Sequence, residues 1–206
     1  MSPDEFRAGF GESWQLSQFW YSTTFANRLS RCIREELESL RREEGIPNPK
    51  LGFLSCPTGY VSYLHLYPDS FRNVHLFEYD TRFSLLSGTN FTRYDLNRPL
   101  DFNDSQRFRG SFDLIVVDPP FLNEVTNRSM GETVKFLLKQ GTPTQTTNRG
   151  KVILITGRSI SEFACSVGVY DDLKPLTPFP LHVQHASGLA NDFAIWGNWQ
   201  GVDRFR

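Results

Sequence analysis

The stretch LIVVDPPFLNE, residues 114–124, runs four apolar residues into Asp118-Pro119-Pro120-Phe121. A near-continuous apolar run marks a strand buried on both faces, as in a parallel sheet covered by helices. The two prolines end it, because neither has an N–H for a neighbouring strand. With its flank, the strand is expected over 112–118.

Similar runs lie on either side. LGFLSC (51–56), VHLFEYD (74–80), FTRYD (91–95) and KVILITG (151–157) read as four further strands. Residues 16–44 read as a helix, with Phe19, Phe25, Leu29, Cys32, Ile33, Leu37 and Leu40 recurring at three- and four-residue steps. Its end, 38–45, reads as a solvated charged face closing at Gly45, and 130–139 reads as another helix. LHVQH (181–185) and DFAIWGNW (192–199) are expected to form a β pair, 1–12 to be loose, and the polar, threonine-rich 140–150 to be an exposed loop. Strands alternating with helices predict a parallel α/β sheet covered on both faces, with an antiparallel edge from the closing pair.

The 206 residues suit one domain with a substantial core. A hydrophobic share of 39% and a charged share of 22% are ordinary for a globular chain and exclude a disordered one. Net charge is −1, so no overall basic bias points to nucleic acid. The three cysteines, Cys32, Cys56 and Cys165, are far apart and lack CxxC spacing. That argues against a disulfide framework or a cysteine-held metal, fits a reducing compartment, and leaves no metal expected. No signal peptide is visible at the start, and no apolar run is long enough to span a membrane.

Ligands of open α/β sheets bind beyond the carboxyl ends of the strands, so the residues there are the candidates. Ser55, Cys56, Pro57, Thr58 and Gly59 follow the first strand as a small turning loop that lets a ligand approach backbone N–H groups. Alone they equally make only a turn, and without GxGxxG they are no dinucleotide fingerprint. Glu78, with Tyr79 and Asp80, ends the second strand about 20 residues on, where a carboxylate accepts from ribose hydroxyls. The competing reading is a solvated acid starting the next helix. Asp95 ends the third strand and can accept from an exocyclic adenine amine, or merely form a turn.

The fourth strand end is the most specific. Fixed φ at Pro119 and Pro120 aims carbonyls rigidly outward, so Asp118 and the Pro119 carbonyl are two acceptors facing one crevice. Two acceptors suit a group with two N–H donors, an amine, and Phe121 adds an apolar wall. An amine so held keeps its lone pair free to attack an electrophilic methyl group.

DPPF after an apolar strand resembles the [DNS]-PP-[FYW] motif of amine-directed, S-adenosylmethionine-dependent methyltransferases. With ESWQLSQFWYS (12–22), FEYDTRF (77–83), GETVKFL (131–137) and GLANDFAIWGNW (188–199), the chain resembles the eukaryotic elongation factor 1-alpha lysine methyltransferases, formerly described as adenine-specific DNA methyltransferases. The resemblance covers roughly 10–200. It implies a Rossmann-like class I methyltransferase with a mostly parallel seven-strand sheet, S-adenosylmethionine as cofactor, and a lysine ε-amine of cytoplasmic elongation factor 1-alpha as acceptor. It further implies that Glu78 holds the ribose, Asp95 the adenine, and Ser55 to Gly59 lie along the methionine part. Asp118, Pro119, Pro120 and Phe121 receive the amine. Trp14, Gln15, Ser17, Gln18, Phe19, Trp20 and Tyr21 belong to an N-terminal helical lid, about 12–44, over cofactor and substrate. A monomer is expected.

Two other readings stay open, and a third, a nicotinamide oxidoreductase, is weaker for want of the glycine fingerprint. A nucleic-acid adenine methyltransferase uses the same DPPF chemistry, with Phe121 stacking on a flipped base. A non-catalytic cofactor-binding domain would keep the fold without the reaction.

Overall fold

The computed structural model describes residues 1–141, 150–166, 168–170, 174–175, 182–189 and 192–199. Seven strands form one sheet: β1 (Leu51–Leu54), β2 (Val74–Glu78), β3 (Phe91–Arg93), β4 (Leu114–Val117), β5 (Lys151–Gly157), β6 (Lys174–Pro175) and β7 (Phe193–Gly197). Their order is β3-β2-β1-β4-β5-β7-β6. The first five are parallel, and β7 runs antiparallel between β5 and β6. This is the class I methyltransferase sheet.

Helices are α1 (Pro3–Gly9), α2 (Thr23–Glu43), α3 (Pro57–Leu66), α4 (Ser84–Ser87), α5 (Ser105–Phe108), α6 (Glu124–Leu137) and α7 (Ser161–Ala164). Pleating divides the core between the two faces of the sheet. Leu114, Val116, Ile153 and Ile155 pack with Phe25, Leu29, Ile33 and Leu37 of α2. Ile115, Val117, Val152 and Leu154 pack on the other side with Met130, Val134 and Leu137 of α6. Near the amino end of β5, Lys151 reaches across to Glu36 (2.6 Å) and Glu44 (2.9 Å) of the α2 region.

Several expected boundaries move. Residues 1–12 are not loose: Ser2 and Glu5 form a reciprocal capping box that starts α1, whose Phe6 is fully buried against Trp20 and Phe83. The long helix starts at Thr23 rather than at 16, because the Ser22 hydroxyl caps the Phe25 N–H. Ahead of it lie a 3₁₀ turn, Trp14–Leu16, and an extended run. Four of the five expected strands are shorter at their carboxyl ends, where Ser55 turns into a left-handed conformation and Asp80 caps the next 3₁₀ turn, while 151–157 is a strand throughout. The helix expected at 130–139 begins earlier, at Glu124, where Asn123 caps the Thr126 N–H. The charged end of α2 is solvated only in part, because Glu44 turns inward to Lys151, which Glu36 also holds from one turn or more upstream.

The closing antiparallel pair forms, with Lys174–Pro175 rather than 181–185 as its other member. β7 pairs with β5 and β6, whereas 182–185 makes only a single bridge, His185 to Tyr21. Its backbone is claimed by the N-terminal segment: Ser22 N–H donates to the Gln184 carbonyl (2.7 Å) and Ala186 N–H to the Trp20 carbonyl (2.7 Å). Most of the expected loop, 142–149, and residue 181 lie outside the described residues. No helix among the described residues is long and apolar enough to cross a membrane.

Candidate active site

Register puts the candidate carboxylates at one level. Phe77 of β2 and Val117 of β4 both pair with Leu54 of β1. Glu78 and Asp118 are the next residues on either side, so they flank the carboxyl end of β1. Here the strand order reverses direction, which opens a crevice between β1 and β4.

Three devices shape that crevice. Ser55 takes a left-handed conformation (φ 52°) and turns the chain into α3, with Pro57 opening the helix. Glu78 is pinned because its Oε1 accepts from the N–H groups of Tyr79 (2.9 Å) and Asp80 (3.2 Å). Gln18 adds a side-chain hydrogen bond to the same carboxyl, which lines the cavity. Asp80, ion-paired with Arg82 (2.6 Å), accepts from Gln18 Nε2 (3.2 Å) and tethers the N-terminal segment.

The result is a cavity of ≈ 270 Å³. Its lining includes Ser17, Gln18, Phe19, Trp20 and Tyr21 from the N-terminal segment, and Ser55, Cys56, Pro57 and Thr58 from the first strand end. Glu78, Tyr79, Asp95, Asp118, Pro119, Pro120 and Phe121 complete the expected set. Three expected residues lie outside the lining. Trp14 is 74% exposed and stands edge-on to Phe19 at 4.9 Å, and Gln15 is exposed. Gly59 is buried in the first turn of α3, where a Cβ would meet Cys56 Sγ at 2.7 Å, so it serves close packing. The lid region is not helical over 17–22; it is an extended run zipped to 184–186.

The cavity also has walls that sequence reasoning missed: Leu16, Tyr94, Leu96, Asn97, Leu122, His185, Leu189 and Phe193. Those at 185–193 bracket or lie within GLANDFAIWGNW, which was read only as a strand and a family signature. Their signal in the sequence was His185 and Phe193 at the two ends of a Gly- and Asn-bearing stretch.

Burial dominates the electrostatics. It raises Glu78 to about 7, against the Tyr79 and Asp80 N–H bonds. It raises Asp118 to about 7 as well; the Tyr21 hydrogen bond opposes this and the Glu78 charge adds to it. Tyr21 donates its hydroxyl to Asp118 Oδ2. Tyr21 and Cys56 are both pushed well above their ordinary ranges, first by burial and then by the nearby Asp118. Burial lowers His185 to about 4, so it is neutral near pH 7.

These residues fit S-adenosylmethionine. Glu78 lines the cavity with a carboxyl that would accept from a ribose diol. Asp95, whose Oδ1 accepts from Asn97 N–H (3.0 Å) and Nδ2 (3.1 Å), lines the same cavity and would accept from an adenine amine. Among the described residues no cluster of three or more His, Cys, Asp or Glu is placed to hold a metal ion. A class I sheet with a buried and a half-buried carboxylate and a DPPF turn at its switch point defines an S-adenosylmethionine-dependent methyltransferase.

Comparison with known proteins narrows the class. A family model described as "Probable N6-adenine methyltransferase" matches residues 12–201. The chain is 34% identical over 197 residues to the Saccharomyces cerevisiae protein-lysine N-methyltransferase EFM5, covering 93% of this chain and 73% of that one. It is 36% identical over 194 residues to the Homo sapiens EEF1A lysine methyltransferase 1, covering 93% and 78%. A Drosophila melanogaster protein-lysine N-methyltransferase, CG9154, is 31% identical over 193 residues, covering 93% and 78%. The chain belongs to the family of elongation factor 1-alpha lysine methyltransferases.

Proposed function

We propose that this protein transfers a methyl group from S-adenosylmethionine to a lysine ε-amine on elongation factor 1-alpha. The observation that carries the reading is the pairing of DPPF, an amine-holding turn beside a buried carboxylate, with curated relatives that are lysine methyltransferases. S-adenosylmethionine supplies an electrophilic methyl on a sulfonium, which the amine nitrogen takes as the sulfur–carbon bond breaks.

The chain's residues do the rest. Glu78 and Asp95 hold the ribose and adenine, while Ser55, Cys56, Pro57 and Thr58 border the methionine part. Asp118 and the Pro119 carbonyl orient the two N–H groups of the amine. Orientation of this kind replaces a bimolecular encounter, with effective molarities on the order of 10⁵ M or more. Phe19, Tyr21 and Phe121 exclude water from the nitrogen. Lysine needs that: with a reference pKa of about 10.4, roughly one side chain in 2,500 is neutral at pH 7. An apolar wall favours the neutral amine, and the proton leaves to water before transfer. On this reading residues 1–206 form one domain, active as a monomer in the cytoplasm.

The family description leaves adenine as the rival acceptor, and an exposed Phe121 would suit a flipped base. The net charge of −1 favours the protein acceptor, because nucleic-acid affinity rests largely on phosphate neutralisation. The deciding assay supplies labelled S-adenosylmethionine with purified elongation factor 1-alpha, total RNA and duplex DNA side by side. Label is expected in a lysine of the elongation factor. Label in RNA or DNA and none in the factor overturns the reading.

A further inference from the structure

We propose that Tyr21 is a positioning residue for methyl transfer: its hydroxyl engages Oδ2 of Asp118 and so directs Oδ1 toward the acceptor amine. The inference rests on the reading of Asp118 as the amine-holding carboxylate.

Tyr21 is held as a rigid lever. It is 1% exposed, yet its hydroxyl reaches the cavity wall from a site 97 residues away in sequence from Asp118. Its carbonyl accepts from Arg7 Nη1 (3.1 Å), and the peptides on both sides are hydrogen-bonded to Gln184 and Ala186. Its ring stands edge-on to Phe25 (4.8 Å) and tilts on His185 (5.5 Å). A merely packed aromatic would need no hydroxyl here, and phenylalanine would fill the same space. The hydroxyl instead fixes a carboxylate that would otherwise rotate about its side-chain bonds. Cys56 Sγ approaches the same oxygen of Tyr21 at 4.0 Å, completing a Cys56–Tyr21–Asp118 chain.

The groups around Asp118 make the effect readable. Tyr21 faces it from the N-terminal segment, Cys56 from the start of α3, Glu78 from the end of β2, and His185 lines the same cavity from the 182–189 segment. Tyr21, Cys56 and His185 are neutral near pH 7, and Arg82 is engaged by Asp80. Glu78 is therefore the nearby charge that titrates alongside Asp118. Losing the Tyr21 donor removes a bond that favours ionised Asp118, so its titration moves to higher pH.

The test compares wild type with Tyr21→Phe and with 3-fluorotyrosine at position 21, which keeps the ring and makes the hydroxyl a stronger donor. Two readouts are taken: the pH–rate profile, and the Asp118 carboxyl titration by ¹³C NMR, assigned with Asp118→Asn. In Tyr21→Phe, kcat is expected to fall about tenfold or more, with S-adenosylmethionine affinity held within about threefold. The Asp118 titration and the acid limb of the rate should both move to higher pH; fluorotyrosine should move them to lower pH. An unmoved Asp118 titration, or an unmoved limb with kcat within twofold, overturns the proposal. Failure of the lysine reading looks different: label enters nucleic acid instead, and the same two measurements on that acceptor still decide the role of Tyr21.

Discussion

Glu78 and Asp118 stand at one height on either side of β1, because Phe77 and Val117 share Leu54 as their strand partner. Two carboxyls share one cavity, and burial lifts both to about 7. Such an arrangement does not stabilise a free protein; it serves a ligand that brings donors and positive charge.

The first prediction concerns stability against pH. Each carboxyl is raised in the folded chain from an ordinary value of 4.5 (Glu78) or 3.8 (Asp118). Between those values and about 7 the folded state binds more protons than the unfolded state. Stability from these groups is therefore full below about 4 and is lost as pH rises through 7. Glu78→Gln and Asp118→Asn should each stabilise the ligand-free protein at pH 8 by roughly 1–2 kcal/mol, or about 2–6 °C. The gain should vanish at pH 4.5. Thermal melts at the two pH values measure it, and a variant that melts below wild type at pH 8 contradicts it.

The second prediction concerns the cofactor. Removing the charged acceptor in Glu78→Ala should weaken S-adenosylmethionine binding by about 1.5–3 kcal/mol, roughly 10- to 150-fold. Wild-type affinity should itself decline as pH falls through 7, because Glu78 takes up a proton. Titration calorimetry at pH 8 and pH 6 reads both effects. Unchanged affinity in a folded Glu78→Ala protein removes Glu78 from the cofactor site.

Much of this site was legible in the sequence because strand ends are. The apolar run 114–117 identified a buried strand, and the carboxylate closing it had to emerge at the sheet's carboxyl edge. Glu78 followed by the same logic. Contacts between segments distant in sequence were not legible. Nothing in LHVQH says that the 184–186 backbone hooks onto Trp20 and Ser22 rather than onto a strand, so the antiparallel pair was expected rightly but with the wrong partner for β7, and the lid was drawn as helix where 17–22 is not. Apolar spacing carried the long helix back to 16, but the Ser22 cap starts it seven residues later. Likewise, Pro57-Thr58-Gly59 read as a loop, although a proline there also opens a helix.

The third prediction tests packing behind the site. Gly131 lies in α6, where a Cβ would come within 2.1 Å of the Val169 carbonyl oxygen and 3.0 Å of its carbon. Helix propensity alone favours alanine over glycine by about 1 kcal/mol. The clash is with backbone, which cannot swing away as a side chain can. Gly131→Ala should therefore destabilise, by about 1–3 kcal/mol. Chemical denaturation checks the sign: a midpoint at or above wild type would mean that the 168–170 segment yields freely.

The last prediction separates orientation from binding at the opening motif. Asp118 adjoins the cavity floor beside Pro119, while the cofactor's ribose and adenine are assigned to Glu78 and Asp95 on the other side of β1. Asp118→Asn keeps the shape and its amide oxygen can still accept from the Tyr21 hydroxyl, but the other oxygen becomes an NH2 that donates instead of accepting, and the charge is lost. An amine facing it would have one weak acceptor, and its lone pair would no longer be held in line with the methyl group. Turnover should fall by about 100-fold or more, some 2.7 kcal/mol in barrier. S-adenosylmethionine affinity should stay within about threefold, since removing one of two neighbouring acids also lets Glu78 ionise more readily. The variant should thus be the more stable protein at pH 8 and the poorer enzyme, as expected where a buried charge is kept for chemistry. Single-turnover rates and calorimetry on the same preparation decide it. Turnover within about threefold of wild type, a change under about 0.7 kcal/mol, would show that Asp118 does not orient the acceptor.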